Sequence, residues 1–296
     1  MGSILEALSP EQQIACSTQN NILLTACPGS GKTRTLTHRL AYQVLRDPAS
    51  KKIKIAITYT NRAAEEITNR LEGMNIDQSS IWAGTIHQFC MHFIIRPYAM
   101  YSKRLCKGYR IIDDYSKKAY GREIAERLGM HLNYYDDPFQ YENVRTEYKR
   151  VLKEKKEIDF DAILLISEEL LASCAFIGSN IASVISSILV DEFQDTNELQ
   201  YSILSTIYKA NKSIILMFVG DVNQAIYSSL GGVAKGKKEL ETLYEINFDS
   251  LSLKGCYRST QRLVDLYSRF EISKTDAHSV AKYKDEHGEI GQRAEQ

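Results

Sequence analysis

Charge imbalance, paired cysteines and long hydrophobic runs are all missing from this sequence. Its 37 basic and 37 acidic residues balance, so any binding of nucleic acid has to use local basic patches. The six cysteines are scattered with no CxxC pair, a spacing that fits neither a zinc site nor a disulfide framework. They are therefore predicted to be reduced thiols of a cytoplasmic protein.

Signals for a membrane or for export are missing as well. The longest apolar stretch runs from Ile214 to Val219 and is far too short to span a bilayer. The start of the chain, MGSILEALSPEQQ, has no basic segment followed by a long apolar core, so it is not expected to be a signal peptide. With 296 residues, 44% of them hydrophobic, the chain is expected to form one large or two modest globular domains.

What the sequence does contain is a glycine-rich loop between a strand and a helix. The apolar run Ile22–Leu24 predicts a buried strand, and apolar residues at helical spacing follow Lys32 and Thr33. Gly29 and Gly31 allow backbone conformations in which amides meet a phosphate at the positive end of the helix. Lys32 would then hold the β- and γ-phosphates, and Thr33 would ligate Mg²⁺. The alternative is an ordinary glycine-rich turn before a helix.

The whole loop is predicted to contact the nucleotide. Its residues are Ala26, Cys27, Pro28, Gly29, Ser30, Gly31, Lys32, Thr33 and Arg34. Ala26 departs from the generic pattern, which begins with glycine. A GTPase would carry an NKxD motif to read guanine, and Asn211–Ile214 lacks its aspartate, so that class of P-loop protein fits less well.

Two later strands are predicted to end in acidic or amide side chains. Ile188–Val190 delivers Asp191 and Glu192 to its carboxyl end, which is where ligands bind in an open parallel sheet. Asp191 would hold Mg²⁺ through water and Glu192 would be the general base; the alternative is a strand followed by an acidic turn. Gln224 follows the strand at 214–219 and could sense a γ-phosphate or orient the attacking water, or it is only a turn residue.

An aromatic residue beside an arginine, Tyr257 and Arg258, follows the apolar segment that ends at Leu253. This pair suits a purine face and a γ-phosphate, although by itself it is typical of an exposed surface. The predicted catalytic residues are therefore Glu192, Gln224 and Arg258.

Strands and helices alternate on both sides of a helical region. The alternation predicts an α/β fold with a parallel sheet and a helical insertion. The predicted domains are 1–96 with 180–250, an insertion at 97–179, and the start of a second domain at 251–296. The basic residues of 149–156 in the insertion could track a phosphate backbone, but a solvated helix face is the favoured interpretation.

In order along the chain, these motifs resemble those of UvrD/Rep-type superfamily 1 DNA helicases. LSPEQQ is similar to the family's adenine-reading motif, and ACPGSGKT to its phosphate loop, including the alanine in first place. AITYTNRAAEEI and GTIHQF resemble motifs Ia and Ib, and LVDEFQDTNELQ resembles motif II. VGDVNQAIY and YRST resemble motifs III and IV. The resemblance spans about residues 8–270.

The resemblance implies a RecA-like P-loop NTPase domain with a helical insertion, followed by the start of a second RecA-like domain. It implies that Gln12 reads adenine, Tyr257 stacks on the base and Arg258 contacts the γ-phosphate. The residues that would line a single-stranded DNA path are Thr58, Tyr59, Asn61, Thr85 and His87. The expected activity is ATP- and Mg²⁺-dependent movement along single-stranded DNA in the 3′ to 5′ direction, with a single/double-strand junction as a further partner.

Two departures from the family pattern concern the motor function. Motifs V and VI, which the family carries on its second RecA-like domain, are absent up to Gln296, so this chain alone is not expected to unwind a duplex. A protein partner would supply or replace that domain. Ser229 stands where the family has a base-stacking tryptophan, which predicts a weak, salt-dependent grip on DNA. The alternatives are a non-motor nucleotide-binding subunit, for example of a phage-defence assembly, or an inactive truncated product.

Overall fold

The computed structural model describes residues 2–133, 135–224, 235–271 and 276–281. These residues fall into two compact units, the first within Met1–Ile86 and Ala182–Gln296 and the second within His87–Ile181. The predicted domains at 1–96 with 180–250, at 97–179 and at 251–296 stay predictions.

The elements are numbered in chain order. The strands are β1 (Ile22–Ala26), β2 (Ile53–Thr58), β3 (Ile81–Thr85), β4 (Arg110–Ile111), β5 (Glu157–Ile158), β6 (Ile185–Asp191), β7 (Ile215–Gly220), β8 (Asp249–Leu253), β9 (Gly255–Cys256) and β10 (His278–Ser279). The α-helices are α1 (Gly2–Leu5), α2 (Pro10–Ser17), α3 (Lys32–Arg46), α4 (Asn61–Gly73), α5 (Ile86–Phe89), α6 (Arg96–Tyr98), α7 (Asp114–Arg127), α8 (Glu142–Lys155), α9 (Phe160–Ser173), α10 (Ala175–Val184), α11 (Glu198–Ala210), α12 (Lys237–Tyr244) and α13 (Gln261–Tyr267).

A six-stranded sheet in the order β3-β2-β6-β7-β1-β8 forms the frame of the first unit. Every pair of neighbouring strands is parallel. Parallel strands are covered on both faces, which is why their sequences are nearly continuous apolar runs. The carboxyl ends of β1, β6 and β7 therefore meet at one edge of the sheet, and the α/β class that the sequence predicts is confirmed.

One face of the sheet packs on α3 and α4. Leu36 and Leu40 of α3 and Ile67 and Leu71 of α4 are fully buried in one cluster with Leu24 of β1. Their i, i+4 spacing places each pair on one side of its helix. Burying a leucine or isoleucine side chain contributes roughly 1.5–3 kcal/mol, so this apolar face holds both helices against the sheet.

The other face of the sheet carries an aromatic cluster. The Phe218 ring of β7 lies 5.4 Å from Tyr244 of α12, 5.7 Å from Phe248 and 6.1 Å from Tyr201 of α11. Ring centroids at these separations, mostly in tilted or edge-on pairs, are favourable beyond the area they bury. The cluster holds α11 and α12 beside the strand that leads to Gln224.

Strand β8 pairs with β1 as the outer strand of this sheet. Its residues, Asp249–Leu253, straddle the predicted start of a second domain at 251. The pattern at Leu251–Leu253 predicts a further strand, and the structure shows that this strand belongs to the first sheet.

The sequence Ser9-Pro10-Glu11-Gln12 predicts a helix start with Ser9 as the N-cap, and the start of α2 agrees with it. The Ser9 hydroxyl accepts from the Gln12 backbone N–H at 3.3 Å, and the Ser9 N–H donates to the Gln12 side chain at 3.0 Å. This reciprocal pair is a capping box, and Pro10 occupies the first turn.

Asn61 precedes apolar residues at helical spacing, so the sequence predicts it as the N-cap of α4, and this prediction is wrong by one residue. Asn61 is the first helical residue, and the Thr60 side chain accepts from the Ala63 backbone N–H at 3.2 Å. Threonine and asparagine are both good capping residues, so the adjacent pair could not be separated by pattern alone.

The second unit is mainly helical, with a short parallel pair formed by β4 and β5. The sequence from Glu147 to Leu171 has a helical pattern throughout. It forms two helices, because Lys156 adopts a left-handed backbone conformation (φ 54°) after α8 and β5 follows. On α8, Arg150 pairs with Glu147 and Glu154. Lys155 lies over the Tyr120 ring. These local partners support the interpretation of a solvated helix face.

Candidate functional site

The phosphate loop connects β1 to α3 with the backbone that its glycines permit. Gly29 (φ 73°) and Gly31 (φ 86°) both lie in the left-handed region. Gly31 caps α3 without a side-chain hydrogen bond, so the amides of the first turn face the loop. The Ser30 hydroxyl is buried and has no hydrogen-bond partner within the described part of the chain. A phosphate group bound in the loop would accept hydrogen bonds from these amides.

The buried side chain of Gln12 forms a hydrogen bond with this loop. Its Nε2 donates to the Ser30 carbonyl at 2.9 Å while its Oε1 serves the Ser9 capping box, and the side chain is 2% exposed. A Cβ at position 31 would lie 2.9 Å from Gln12 Nε2, so the close contact also depends on glycine. The adenine-reading role of Gln12 stays a prediction.

The acidic strand end faces the loop. Lys32 Nζ lies 2.8 Å from Glu192 Oε2, and the Thr33 hydroxyl donates to Asp191 Oδ2 at 3.1 Å. Burial and the neighbouring Glu192 raise the pKa of Asp191 to about 6, against the opposing effect of Lys32. Two adjacent carboxylates thus share one nearby lysine, and a further cation would be stabilising.

A Mg²⁺ ion fits this donor set. Thr33 and Asp191 are oxygen donors already in contact with each other, and oxygen ligands are what Mg²⁺ prefers. Among the described residues no group of three or more His, Cys, Asp or Glu side chains could hold a metal ion. Mg²⁺ usually keeps water and substrate phosphates among its ligands, so a pair of protein oxygens suffices.

The end of β7 completes the acidic side of the site. The buried Asp221 accepts from Gln224 Nε2 at 2.6 Å. Burial raises the pKa of Asp221, and the bond from Gln224 opposes that rise. Gln194 bridges the two strand ends, since its Nε2 donates to Glu192 Oε2 at 2.9 Å and its Oε1 accepts from the Asp221 N–H at 3.1 Å. Neither Gln194 nor Asp221 was predicted as a site residue from the sequence.

The segment with Tyr257 and Arg258 lies against the phosphate loop. The Tyr257 N–H donates to the Gly29 carbonyl at 2.9 Å. A Cβ at position 29 would come within 2.6 Å of Arg258 Cβ. The loop glycine thus makes room for a residue more than two hundred positions later in the sequence, while the Tyr257 side chain stays 42% exposed.

A cavity of about 260 Å³ joins these groups. It is lined by residues 28–34 of the loop together with Glu192, Gln224 and Arg258. Glu66 and Arg70 of α4 also line it. Sequence reasoning missed them because an acidic and a basic residue four apart on a helix are usually an exposed ion pair, which they also form. Ala26 and Cys27 are buried beneath the loop.

Four of the predicted DNA-contacting residues lie at, or just after, the ends of two neighbouring strands. Thr58 and Thr85 are paired at the ends of β2 and β3. The Thr58 side chain is 3% exposed and its hydroxyl donates to the Thr60 carbonyl at 2.9 Å, whereas Tyr59 is 47% exposed. Asn61 is exposed at the start of α4. Tyr59 and Asn61 are therefore the more accessible members of the group.

His87 belongs to the second unit. Its ring meets Phe160 edge-on at 5.9 Å between centroids, and burial lowers its pKa. Ser229, the position that departs from the family's stacking tryptophan, lies outside the described residues.

The fold and the loop define a P-loop nucleotide-binding protein with a parallel α/β sheet. The family model described as an AAA domain matches residues 11–230, and the chain belongs to this family. The chain is 28% identical over 279 residues to the ATP-dependent DNA helicase PcrA of Leuconostoc citreum, covering 84% of this chain and 37% of that protein. It is 26% identical over 290 residues to DNA helicase II of Escherichia coli K12, with 88% and 40% covered.

The PcrA helicase of Staphylococcus aureus strain Mu50 is 26% identical over 312 residues, with 95% of this chain and 42% of that protein covered. The resemblance to UvrD/Rep-type helicases is therefore confirmed over most of the chain, which spans about two fifths of the length of these relatives. The crystal structure of the Pif1 helicase from Candida albicans matches with a TM-score of 0.45 at 13% identity, over 88% of this chain and 43% of that one. Across the described ranges, no helix combines the length and apolar character needed to span a membrane.

Proposed function

We propose that this chain is the ATP-binding and ATP-hydrolysing part of a DNA helicase of UvrD/Rep type. The observation that carries the proposal is the meeting of Lys32 with Glu192 and of Thr33 with Asp191 across one cavity. A phosphate loop facing two acids at the end of a parallel strand is an arrangement suited to phosphoryl transfer. The ATP-dependent helicases among its relatives support the same activity.

Each residue then has a distinct role toward ATP. The loop amides and Lys32 hold the phosphates, and Glu192 takes a proton from the attacking water as general base. Gln224 and Arg258, which line the cavity, contact the γ-phosphate. Thr33 and Asp191 would hold Mg²⁺, which neutralises phosphate charge when bound. Gln12 reads the adenine, and Tyr257 stacks on it.

Hydrolysis is coupled to single-stranded DNA in this proposal. Tyr59 and Asn61, which are exposed at the end of β2, contact the DNA strand. The protein moves along the DNA in the 3′ to 5′ direction once a second RecA-like domain is available. Tyr59 is the described residue best placed to stack on a base, because its ring is 47% exposed beside the sheet edge.

The experiment measures ATP hydrolysis and DNA binding by the purified chain. Slow Mg²⁺-dependent hydrolysis that oligothymidine stimulates is expected, together with weak binding that salt weakens strongly. Tyr59→Ala should weaken binding by about tenfold, since a stacked base is worth about 1–3 kcal/mol. Fluorescence anisotropy of labelled oligothymidine at several salt concentrations measures the effect.

Tyr115→Ala is the matched control, because Tyr115 is a more exposed tyrosine on α7 of the second unit, outside the predicted path. The control should bind as the wild type does. Equal binding by Tyr59→Ala and the wild type, with no stimulation of hydrolysis, would count against the DNA part of the proposal.

A further inference from the structure

Gln194 is a buried amide between the two acidic strand ends, and none of the roles proposed above includes it. Its side chain is 3% exposed. It follows Glu192 in the short helical turn Phe193–Asp195. A polar side chain this deeply buried is retained only when its hydrogen bonds are made, and both ends of this amide are satisfied.

The position of the amide is tightly restricted. Its Nε2 donates to Glu192 Oε2 at 2.9 Å, and its Oε1 accepts from the Asp221 backbone N–H at 3.1 Å. A Cβ at position 220 would lie 2.3 Å from Gln194 Oε1. The amide therefore rests directly on the backbone of β7, where only glycine leaves room for it.

The hydrogen bonds continue from Asp221 to Gln224. Gln224 Nε2 donates to Asp221 Oδ2 at 2.6 Å, and the Gln224 N–H donates to the Asp221 carbonyl at 2.9 Å. Three consecutive hydrogen-bonded contacts thus connect the carboxylate of Glu192 to the carboxamide that lines the cavity beside it.

Glu192 itself needs external support. Its backbone is left-handed (φ 51°), which is uncommon for a residue with a side chain. Lys32 and Gln194 both contact Oε2. When Lys32 contacts a bound phosphate instead of Glu192, the hydrogen bond from Gln194 still holds the Glu192 carboxylate. Oε1 of Glu192 is then the oxygen that can accept a proton from water.

We propose that Gln194 is a positioning residue that couples the orientation of the Glu192 carboxylate to the segment carrying Gln224. When Gln224 contacts the γ-phosphate, the hydrogen bonds through Asp221 and Gln194 fix the orientation of the Glu192 carboxylate. Glu192 therefore activates water only when the γ-phosphate is in place. This inference rests on the proposed function.

Two variants separate the two ends of the amide. Gln194→Met has a similar length and loses both hydrogen bonds. Gln194→Glu keeps an acceptor for the Asp221 N–H and loses the donor to Glu192. Single-turnover hydrolysis of labelled ATP and the nucleotide dissociation constant are measured for each full-length chain, together with the thermal midpoint.

Both variants should hydrolyse bound ATP about ten- to a hundred-fold more slowly, because a hydrogen bond to a charged group is lost. Their nucleotide dissociation constants should stay within about twofold of wild type, since neither end of the amide contacts the phosphate loop.

In a Glu192→Gln background, Gln194→Met should cause no further loss of rate, because residues that act through one another are not additive. Gln200→Met is the matched control, since Gln200 caps α11 nearby. It should leave hydrolysis unchanged.

Loss of nucleotide affinity in parallel with the rate of hydrolysis, or full additivity with Glu192→Gln, would overturn the inference in favour of a merely structural role.

Hydrogen exchange at the Asp221 backbone amide tests the inference without measuring hydrolysis. Gln194→Met should lose protection there and Gln194→Glu should keep it. If the wild type hydrolyses no ATP, the proposed function fails, and unchanged exchange in Gln194→Met would by itself contradict the inference.

Discussion

Asp191 and Glu192 place two carboxylates against one lysine in a buried site. The pKa of Asp191 rises to about 6 because burial and Glu192 disfavour its charged form more than Lys32 and Thr33 favour it. The protein thus keeps a destabilising charge at the position where Mg²⁺ would be held. Stability given up at a functional site is expected where binding later compensates for it.

Asp191→Asn should make the nucleotide-free chain more stable. The folded state binds the Asp191 proton more tightly than the unfolded state, so the charged carboxylate destabilises the fold above pH 6 and not below its ordinary pKa of 3.8. The gain should be on the order of 1–3 kcal/mol at pH 7.5 and smaller at pH 5. Thermal unfolding in the presence of a chelator measures it, and a variant less stable than wild type at both pH values would contradict this reasoning.

Individual site residues are predictable where a strand ends in unusual chemistry. Lys32, Asp191 and Glu192 follow apolar runs, and the structure brings them into contact. Arg70 and Gln194 could not be predicted in the same way. Arg70 has the spacing of an ordinary helical ion pair, and the position of Gln194 depends on a contact with a strand that is distant in the sequence.

At the scale of elements, α4 links the end of β2 to one wall of the cavity. Its N-terminus is capped by Thr60, and Glu66 and Arg70 of the same helix line the cavity. The stability of its first turn therefore matters both for the fold and for the accessible residues at the end of β2.

Thr60→Ala should destabilise the protein by about 1 kcal/mol, because the Ala63 N–H loses its side-chain acceptor. Asn61→Ala is the matched control, since Asn61 is exposed at the first helical position. Its effect should stay within about 0.5 kcal/mol. Chemical denaturation measures the free energy of unfolding of both variants. A larger loss of stability for Asn61→Ala than for Thr60→Ala would indicate that Asn61 is the N-cap.

The regular elements follow from the sequence more readily than the breaks between them. β1 and β2 coincide with apolar runs, and the α2 cap with its Ser9-to-Gln12 pattern. The π-helical turn at Cys90–Ile95 and the short strand β5 were not predicted. Both depend on packing and on single backbone conformations, such as that of Lys156, that apolar periodicity does not report.

At the scale of the whole molecule, the parallel sheet explains why distant motifs form one site. Strands β1, β6 and β7 are neighbours in the sheet although their residues are separated by up to about two hundred positions. Alternating strands and helices predict that the sheet is parallel, but they do not predict the strand order. The placement of β8 beside β1, which brings Arg258 to the loop, is a tertiary contact that only the structure reveals.

Mg²⁺-dependent ATP binding at the phosphate loop is the central property proposed for this protein. Calorimetric titration of ATP into the wild type, Lys32→Ala and the control Lys51→Ala, with and without Mg²⁺, tests it most directly. Lys51 is an exposed lysine away from the cavity. We expect Mg²⁺-dependent binding by the wild type and Lys51→Ala, and at least about tenfold weaker binding by Lys32→Ala, because a charged contact to phosphate is lost. Equal affinity in all three chains would contradict the account.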